Sequence, residues 1–206
     1  SFIYWHPLIY SFFIRLSYGK NYSKRYEAVR DLIEDGSAVV DICCGDCRIY
    51  DYLKNKNIRY TGLDFNPCFV EMASKRGIKA GIFDLRVDEI PKADYILLQG
   101  SLYQFIPKEK EILQKLLDAA AKYLIISQPI KNKADSKSRI ISFLSRKLND
   151  PGDGVKNYRF NIDTFRAALA PFRGNVVKEF FAANGIDYII VIKKDVGYNE
   201  SEENNK

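Results

Sequence analysis

The sequence has little histidine and cysteine, the residues that most often bind zinc. Its 206 residues include one histidine, one methionine, one tryptophan and four cysteines. A zinc site needs about four ligands, most often histidine and cysteine side chains. The candidates here have no second C-x-x-C pair among them: Cys43, Cys44, Cys47, Cys68 and His6. We therefore expect no metal site.

Long hydrophobic runs are also absent. No stretch of about 18 apolar residues occurs, so the sequence predicts no membrane-spanning helix. The apolar run PLIYSFFIRLSY is interrupted by Ser11 and Arg15 and has no small-residue cleavage site, so we do not interpret it as a signal peptide. Clustered cysteines do not form a disulfide framework in a chain of this length. These features favour a reduced, cytoplasmic setting.

The usual phosphate-binding motifs are missing. No G-x-x-x-x-G-K-[ST] run is present, which argues against nucleoside triphosphate hydrolysis. Of the glycines of G-x-G-x-x-G/A only Gly45 is present in this loop, which argues against a dinucleotide. The formal charge of +6 permits an anionic partner, but the basic residues are scattered among acids. No separate nucleic-acid-binding module is visible, so we do not expect nucleic acid as a partner.

What is present is an alternation of strand-like and helix-like segments from about residue 38 onward. The strand-like runs are SAVVDIC, IRYTGLDF, IKAGIFD, ADYILLQG and YLIISQP, and the intervening helix-like runs include RIYDYLKNK, PCFVEMASKRG and KEKEILQKLLDAAAK. This alternation predicts right-handed βαβ units and a parallel sheet. After a further helix, NIDTFRAALAPF, which Asn161 or Asp163 would cap, two β-rich runs joined by ANG predict an antiparallel hairpin. The sequence therefore predicts an α/β fold.

Two regions are additions to this core. Residues 1–34 form a predicted aromatic-rich N-terminal helical cap, in which five apolar residues share one helical face: Leu8, Ile9, Phe12, Phe13 and Leu16. A helical insertion is predicted at about 129–160, with the basic amphipathic segment SKSRIISFLSRKL. The core then spans residues 35–195, and residues 196–206 are predicted to form a flexible tail.

The stretch VVDICCGDC, residues 39–47, holds three of the four cysteines. Cys44 and Cys47 have the C-x-x-C spacing of a redox pair, and they follow a strand as such pairs do. The usual tryptophan before the first cysteine is missing, however, and a redox site leaves the acidic residues downstream unexplained. A third interpretation is a nucleoside-cofactor loop, because small side chains let the backbone approach a ligand at the carboxyl end of a sheet.

Carboxylates at two later strand ends favour the cofactor loop. Asp64 ends the second strand, nineteen residues after Gly45, where it can accept hydrogen bonds from both ribose hydroxyls. Asp84 ends the third strand, twenty residues further on. The carboxyl ends of parallel strands meet at one edge of a sheet, so these side chains should line it. The alternative is a doubly wound domain with acids at its strand ends by chance.

With these motifs in order, the sequence resembles the class I S-adenosylmethionine-dependent methyltransferase family, over residues 36–128 by motif and 158–193 by architecture. VVDICCGDC is similar to the first motif, V-x-D-x-G-C-G-x-G. Asp41, Cys44 and Gly45 match it, whereas Cys43 and Cys47 stand where glycines are usual. GLDFNP, GIFDL and DYILLQGSLYQF are similar to the second, third and fourth motifs. The resemblance implies a Rossmann-like, mostly parallel seven-stranded sheet flanked by helices and ending in an antiparallel hairpin.

The resemblance also implies a cofactor and the residues that bind it. The cofactor is S-adenosylmethionine and the product S-adenosylhomocysteine. Asp64 would hold the ribose, Phe65 would flank the adenine and Asp84 would bond its amino group. The set of predicted cofactor-binding residues is Asp41, Cys43, Gly45, Asp64, Phe65, Asp84, Leu85, Gln99, Gly100, Ser101 and Tyr22. A positive φ at Cys43 or Cys47 would strain that residue; a degenerate cofactor-binding member without catalysis is therefore an alternative.

Methyl transfer from a sulfonium is an in-line displacement, to which alignment and exclusion of water can contribute much of the catalysis. A general base is needed only if the acceptor must lose a proton. His6 is one candidate catalytic residue, although a surface or packing histidine is the alternative. Tyr103 is the other candidate; it and Tyr18 could line the site, with core packing as the default.

The fourth motif bears on the acceptor. QGSLYQF resembles neither the Asn/Asp-Pro-Pro-aromatic run of amino-methylating nucleic-acid enzymes nor the Pro-Cys of cytosine-carbon enzymes, and it is more similar to small-molecule methyltransferases. We therefore expect a small, partly apolar acceptor, lipid-like or aromatic, in a cleft walled by the two additions. Both additions could instead rest on a membrane surface as a peripheral contact. An RNA or protein methyltransferase is the remaining alternative.

Overall fold

The computed structural model describes residues 7–130 and 159–195, and within those ranges the chain forms a seven-stranded sheet flanked by helices. The strands are β1 (Ala38–Ile42), β2 (Arg59–Asp64), β3 (Ala80–Ile82), β4 (Ala93–Gln99), β5 (Ala120–Pro129), β6 (Val176–Ala182) and β7 (Asp187–Lys193). The helices are α1 (Pro7–Tyr18), α2 (Tyr22–Arg30), α3 (Arg48–Leu53), α4 (Pro67–Lys75), α5 (Glu109–Ala119) and α6 (Ile162–Ala168). Short 3₁₀ helices occupy Gly19–Asn21, Leu102–Phe105 and Ala170–Asn175.

The strand order confirms the predicted sheet. It is β3-β2-β1-β4-β5-β7-β6. The first five strands in this order pair in parallel, whereas β7 runs antiparallel to both β5 and β6. One edge of the sheet therefore carries the carboxyl ends of β1 to β5 together with the start of β7. Any site built on strand ends lies at that edge.

Both faces of the sheet are buried along its central strands, because helices cover each face and alternate side chains of a strand point to opposite faces. On one face, strand residues such as Ile42, Ile96 and Leu124 pack against α5 and α6. On the other face, strand residues such as Val39 and Leu97 pack against α2, α3 and α4. The near-continuous apolar runs that predicted the strands are explained by this double burial.

Caps fix where two of the helices begin, and a strand pairing fixes where another ends. The Asn66 side chain accepts from the Cys68 amide before α4, and Asn161 forms a capping box with Thr164 before α6. The predicted helix KEKEILQKLLDAAAK is wrong in its last three residues. Ala120 pairs with Ala93 and already belongs to β5, because strand pairing overrides the helix propensity of the alanine run.

Helices α1 and α2 lie within the predicted N-terminal cap. Two residues of its apolar face, Phe12 and Leu16, are 62% and 65% exposed. Residues 1–6, most of the predicted insertion (131–158) and the tail (196–206) lie outside the described residues, so the domain boundaries stay predictions. Among the helices that the structure describes, none combines the length and apolar character that crossing a bilayer would require.

Candidate active site

The loop between β1 and α3 adopts a conformation that glycine would adopt more easily. Cys43, Gly45 and Cys47 have φ values of 55°, 54° and 50°. A left-handed conformation costs a residue with a side chain about 1–2 kcal/mol. The loop is tied to β2, because the Cys44 amide donates to the Leu63 carbonyl at 3.1 Å. The strain expected at Cys43 and Cys47 is therefore present, and the loop keeps its backbone path in spite of both cysteines.

Asp64 links the end of β2 to this loop. Its Oδ2 accepts from the Gly45 amide at 2.8 Å, and its Oδ1 accepts from the Asn66 amide at 2.9 Å. Burial raises the pKa of Asp64, and the two amide hydrogen bonds offset part of that rise. Each carboxylate oxygen can accept a further hydrogen bond. Asp64 is thus positioned before any ligand binds and can still accept from one.

Asp84 follows β3 and is held by a residue two positions later. Arg86 donates from Nε to Oδ1 and from Nη2 to Oδ2, both at 2.8 Å. These side-chain hydrogen bonds lower the pKa of Asp84. The Arg86 guanidinium carbon also lies 5.3 Å from the ring centroid of Phe65, which is 63% exposed. An exposed aromatic ring, a guanidinium and a carboxylate therefore lie side by side at the edge near β2 and β3, with Leu85 buried beside them.

Cys43 lies among three of the strand-end carboxylates. The pKa of its thiol is raised first by burial, and then by the charges of Asp64, Asp41 and Asp84. A hydrogen bond with Ser101, just after β4, offsets part of this rise. Because one thiol is within electrostatic range of all three carboxylates, the ends of β1, β2, β3 and β4 converge on a single region.

Asp41 lies near the end of β1 and is the most deeply buried of the three carboxylates, at 1% exposure. Its Oδ2 accepts from the Tyr60 hydroxyl at 2.8 Å. Burial raises the pKa of Asp41 to about 7, while hydrogen bonds from Tyr60 and Gln99 act in the opposite direction. Asp41 therefore titrates close to neutrality.

Several polar atoms at the ends of β4 and β5 are buried without a hydrogen-bond partner among the residues that the structure describes. They are Gln99 Oε1, Ser127 Oγ and Gln128 Oε1. Gly100 lies among them with a φ of 69°, and its amide donates to the Ser127 carbonyl at 2.7 Å. Buried polar groups are normally satisfied, so unpartnered ones indicate a place for water or ligand atoms.

A buried charged cluster at the same edge was not predicted. The Tyr18 hydroxyl donates to Asp187 Oδ1 at 2.5 Å, and Arg25 Nε lies 3.4 Å from Asp187 Oδ2. The Arg25 guanidinium carbon is 4.4 Å from the ring centroid of Tyr18. Arg25 Nη2 is 3.7 Å from the position that a Cβ on Gly100 would occupy, so the guanidinium borders the end of β4. The sequence named Tyr18 as a possible lining residue but gave no signal for Arg25 or Asp187.

Helix α1 follows this edge of the sheet. Near its start, the Ser11 hydroxyl donates to Asp46 Oδ2 in the β1–α3 loop at 2.6 Å. At its end, Tyr18 reaches Asp187 at the start of β7. The helix therefore runs along the strand ends from the loop toward β7.

The remaining predicted residues are placed differently. Tyr103 is buried, with the Arg159 guanidinium carbon 3.6 Å from its ring centroid. Tyr22 contacts Tyr26 and lines a cavity of about 350 Å³ between α1, α2 and α3, so its role with the cofactor stays a prediction. His6 lies outside the described residues. Within residues 7–130 and 159–195, no three His, Cys, Asp or Glu side chains are grouped as metal ligands would be.

Comparison with known proteins gives a family and a fold. The family model of the methionine biosynthesis protein MetW matches residues 23–142, which is more than half of the chain. Among curated proteins, none matches.

Similar solved structures include several methyltransferases. Magnesium protoporphyrin IX methyltransferase from Synechocystis, solved with bound S-adenosylhomocysteine, has a TM-score of 0.60 at 16% identity, covering 83% of this chain and 80% of that chain. An O-methyltransferase family 2 protein from Planctomyces limnophilus, in complex with apigenin, has a TM-score of 0.62 at 17% identity, covering 90% and 60%. A TehB-like S-adenosylmethionine-dependent methyltransferase from Corynebacterium glutamicum has a TM-score of 0.57 at 17% identity, covering 83% of this chain and 87% of that chain. At these identities the likeness establishes the fold.

Proposed function

The chain belongs to the family of the methionine biosynthesis protein MetW, a class I S-adenosylmethionine methyltransferase-like family, and from that premise we propose that it transfers the methyl group of S-adenosylmethionine to a small, partly apolar acceptor. The observation that carries this proposal is the hydrogen bond at 2.8 Å from the Gly45 amide to Asp64 Oδ2, which joins a carboxylate at the end of β2 to the loop after β1, with Asp41 and Asp84 near the ends of the neighbouring strands. An acidic lining suits a cofactor with a positively charged sulfonium and no phosphate. The fold neighbours that were solved with S-adenosylhomocysteine or apigenin are consistent with this choice.

We assign the nucleoside half of the site to Gly45, Asp64, Phe65 and Asp84. Asp64 accepts hydrogen bonds from the ribose hydroxyls through the lone pairs that the Gly45 and Asn66 amides leave available. The exposed face of Phe65 stacks on adenine. Asp84 accepts from the adenine amino group while Arg86 holds its carboxylate in place.

We assign the methionine half to Arg25, Gln99 and Gly100, with Tyr18 and Asp187 as positioning residues. The buried Oε1 of Gln99 accepts from the ammonium group, for which it is a free acceptor among the described residues. Gly100 lets the ligand approach because it has no Cβ. The Arg25 guanidinium, which borders Gly100, binds the carboxylate. Asp187 and Tyr18 fix the orientation of that guanidinium.

The chain contributes alignment and exclusion of water to the reaction. Bound S-adenosylmethionine supplies a methyl group activated by its sulfonium. Helix α1 covers the strand ends through Ser11 and Tyr18, which limits the access of water to the region beside Gly100. Its exposed Phe12 and Leu16 offer an apolar wall to the acceptor. Tyr103, just after β4, and His6 stay as candidates for a base where the acceptor must lose a proton.

Calorimetric titration of the full chain tests the cofactor. S-adenosylmethionine and S-adenosylhomocysteine should bind and NAD should not. Asp64→Asn should lower the affinity for S-adenosylhomocysteine by about 100-fold or more, because it replaces a carboxylate that accepts from two hydroxyls. The matched control is Asp31→Asn, an exposed aspartate paired with its neighbour Arg30. Binding of NAD in place of the other two ligands, or an Asp64→Asn variant with unchanged affinity, would refute the proposal.

Transfer of a labelled methyl group tests the acceptor class. The full chain is incubated with methyl-labelled S-adenosylmethionine and, separately, with pooled small aromatic and lipid-like molecules, total RNA or total protein. Label in the small-molecule fraction supports the proposal. Label in RNA or protein overturns the acceptor class while leaving methyl transfer intact.

A further inference from the structure

The two thiols of the C-x-x-C sequence meet inside the loop. Cys44 Sγ and Cys47 Sγ are 3.2 Å apart, and both cysteines are free. The residues also close a backbone turn, in which the Cys47 amide donates to the Cys44 carbonyl at 2.9 Å. A disulfide requires a sulfur–sulfur distance of about 2.05 Å, so the bond needs the two atoms to approach by only about 1 Å.

The neighbouring strand leaves room for this pair. A Cβ on Gly62, in the middle of β2, would lie 2.6 Å from Cys47 Sγ and 3.0 Å from Cys44 Sγ. The two sulfurs therefore occupy the space that a side chain at position 62 would fill. The other thiols are placed differently: Cys43 packs against the core on the opposite face of the sheet, and Cys68 is exposed in the first turn of α4.

We propose that Cys44 and Cys47 are a reversible dithiol–disulfide pair, oxidised by a low-molecular-weight disulfide, which locks the loop between β1 and α3. The Cys44 thiolate attacks the small disulfide, forms a mixed disulfide and releases one small thiolate. The Cys47 thiolate then attacks the Cys44 sulfur, forms the internal disulfide and releases the second small thiolate. Two protein thiols are oxidised, one small disulfide is reduced, and the two protons lost by the cysteines go to the released thiolates.

The environment of the pair determines the order and speed of these steps. Cys44 is half-buried and Cys47 is fully buried, so the small disulfide reaches Cys44 first. The hydrogen bond with Cys47 and then burial raise the pKa of Cys44, which makes the first attack slow at neutral pH. A raised pKa also means that the protein does not stabilise the Cys44 thiolate. Because this thiolate is the product of reduction, its instability favours the disulfide once it has formed.

The crosslink acts on the part of the loop that faces Asp64. Gly45 lies between the two cysteines, and its amide donates to Asp64. The crosslink also retains the strained left-handed conformation of Cys47. Oxidation therefore holds the loop in its present conformation, and the oxidised chain should resist thermal unfolding better than the reduced one.

The experiment uses a Cys43→Ser/Cys68→Ser variant of the full chain, in which only the pair remains. It is incubated with glutathione disulfide at mildly alkaline pH, and its intact mass is measured by mass spectrometry before and after alkylation. Compared with the reduced variant, we expect an intact mass lower by two hydrogens before alkylation and no alkylation at either cysteine. The melting temperature should be higher by about 2–6 °C, and dithiothreitol should reverse all three changes. Adding Cys47→Ser should trap one glutathione on Cys44, because the second attack is then impossible.

Each other result contradicts the proposal. Two free thiols after prolonged incubation, two glutathiones per chain or a disulfide-linked dimer would overturn it. Should the double variant fail to fold, the wild-type chain is oxidised in the same way, and fragmentation of its Cys43-containing peptide shows whether the bond joins Cys44 to Cys47. Because no cofactor is added, the outcome does not depend on the proposed methyl transfer.

Discussion

The proposed nucleoside half and the proposed methionine half of the site are built from different kinds of contact. In the nucleoside half, Asp64 accepts a hydrogen bond from Gly45, nineteen positions earlier, and Asp84 accepts one from Arg86, two positions later. In the methionine half, the hydrogen bond from Tyr18 to Asp187 joins residues 169 positions apart. The two ion pairs differ in burial as well: the Arg86 and Asp84 side chains are 55% and 22% exposed, and those of Arg25 and Asp187 are 6% and 0% exposed.

This difference in burial predicts which residues affect only ligand binding and which also affect the free energy of unfolding. An exposed ion pair contributes little to the free energy of unfolding, because water screens it. A buried pair is expensive to break, because the remaining charge is left without compensation in a medium of low dielectric constant. The nucleoside half should therefore be replaceable without unfolding the chain, whereas changes in the methionine half should affect both binding and stability.

The largest effect is expected from Asp187→Asn. The amide can still accept from Tyr18, but Arg25 loses the opposite charge beside its Nε. We expect the free energy of unfolding to fall by about 3 kcal/mol, as for other buried pairs that lose one partner. Urea unfolding followed by circular dichroism measures this change.

The control for this prediction is Asp118→Asn. Asp118 forms an exposed ion pair with Lys194 at 2.7 Å, so its replacement should lower the free energy of unfolding by less than about 1 kcal/mol. Equal losses in the two variants would remove the distinction between buried and exposed pairs.

The next effect concerns Arg25→Met and separates two ligands. The affinity for S-adenosylhomocysteine should fall by about 30- to 100-fold, because charge-assisted hydrogen bonds to the carboxylate are lost. The affinity for 5′-methylthioadenosine, which has no carboxylate, should change by less than about 3-fold, since it lacks the group that Arg25 binds. Calorimetry on variant protein that is folded by circular dichroism provides both values.

Arg25→Lys keeps the charge and serves as the matched variant. It should retain more affinity for S-adenosylhomocysteine than Arg25→Met does. If Arg25→Met weakens both ligands equally, Arg25 acts through the structure of the site and does not bind the carboxylate.

A smaller effect is expected from Asp41, which lies on β1 between the two halves. Burial raises its pKa from 3.8 in the unfolded chain to about 7 in the folded chain. The folded state therefore keeps a proton that the unfolded state has lost, so this group's contribution to stability is full below pH ~4 and is lost as the pH rises to about 7. Asp41→Asn imitates the protonated form. Its gain in free energy of unfolding over wild type should be larger at pH 8 than at pH 5 by about 2.5 kcal/mol.

Urea unfolding of both proteins at the two pH values checks this prediction. Because only the difference between variant and wild type is compared, other titrating groups cancel. A difference that is the same at pH 5 and pH 8 would show that Asp41 is ionised throughout that range.

The smallest effect is expected from Arg86→Ala. Arg86 is exposed, and its short-range pair with Asp84 and its contact with Phe65 lie at the surface. Its removal should change the affinity for S-adenosylhomocysteine by less than about 3-fold and the free energy of unfolding by less than about 0.5 kcal/mol. A 10-fold loss of affinity would show that the exposed half depends on its ion pair as strongly as the buried half does.

The difference between short-range and long-range contacts also explains how much of each half could be predicted from the sequence. The strands were predicted correctly because buried parallel strands are short apolar runs bounded by turn residues, as in AVVDI and RYTGLD. Asp64 and Asp84 could be proposed as site residues because a carboxylate at or near a strand end is visible in the local sequence; Asp84 was predicted to end the third strand, but β3 ends at Ile82. The boundary between α5 and β5 was misplaced because pairing with β4, which lies outside that segment, decides it.

Arg25 and Asp187 could not be found in this way. Arg25 stands in a polar stretch of α2, where a basic residue is usually solvated, and its burial depends on a strand far along the chain. The proximity of the two thiols depends similarly on Gly62, because a larger side chain there would displace both sulfurs. Local patterns carry no information about such partners.

The contact between Tyr18 and Asp187 also bears on how the protein is made. A ribosome releases the chain from its N-terminus, and units fold as they emerge. The segment from β1 to Asp84 is synthesised early, whereas Arg25 can pair with the Asp187 carboxylate only after β7 has been translated. A nascent chain that stops before residue 187 therefore holds the proposed adenosine-binding edge without the carboxylate that pairs with Arg25, and the proposed site is complete only after β7 has been made.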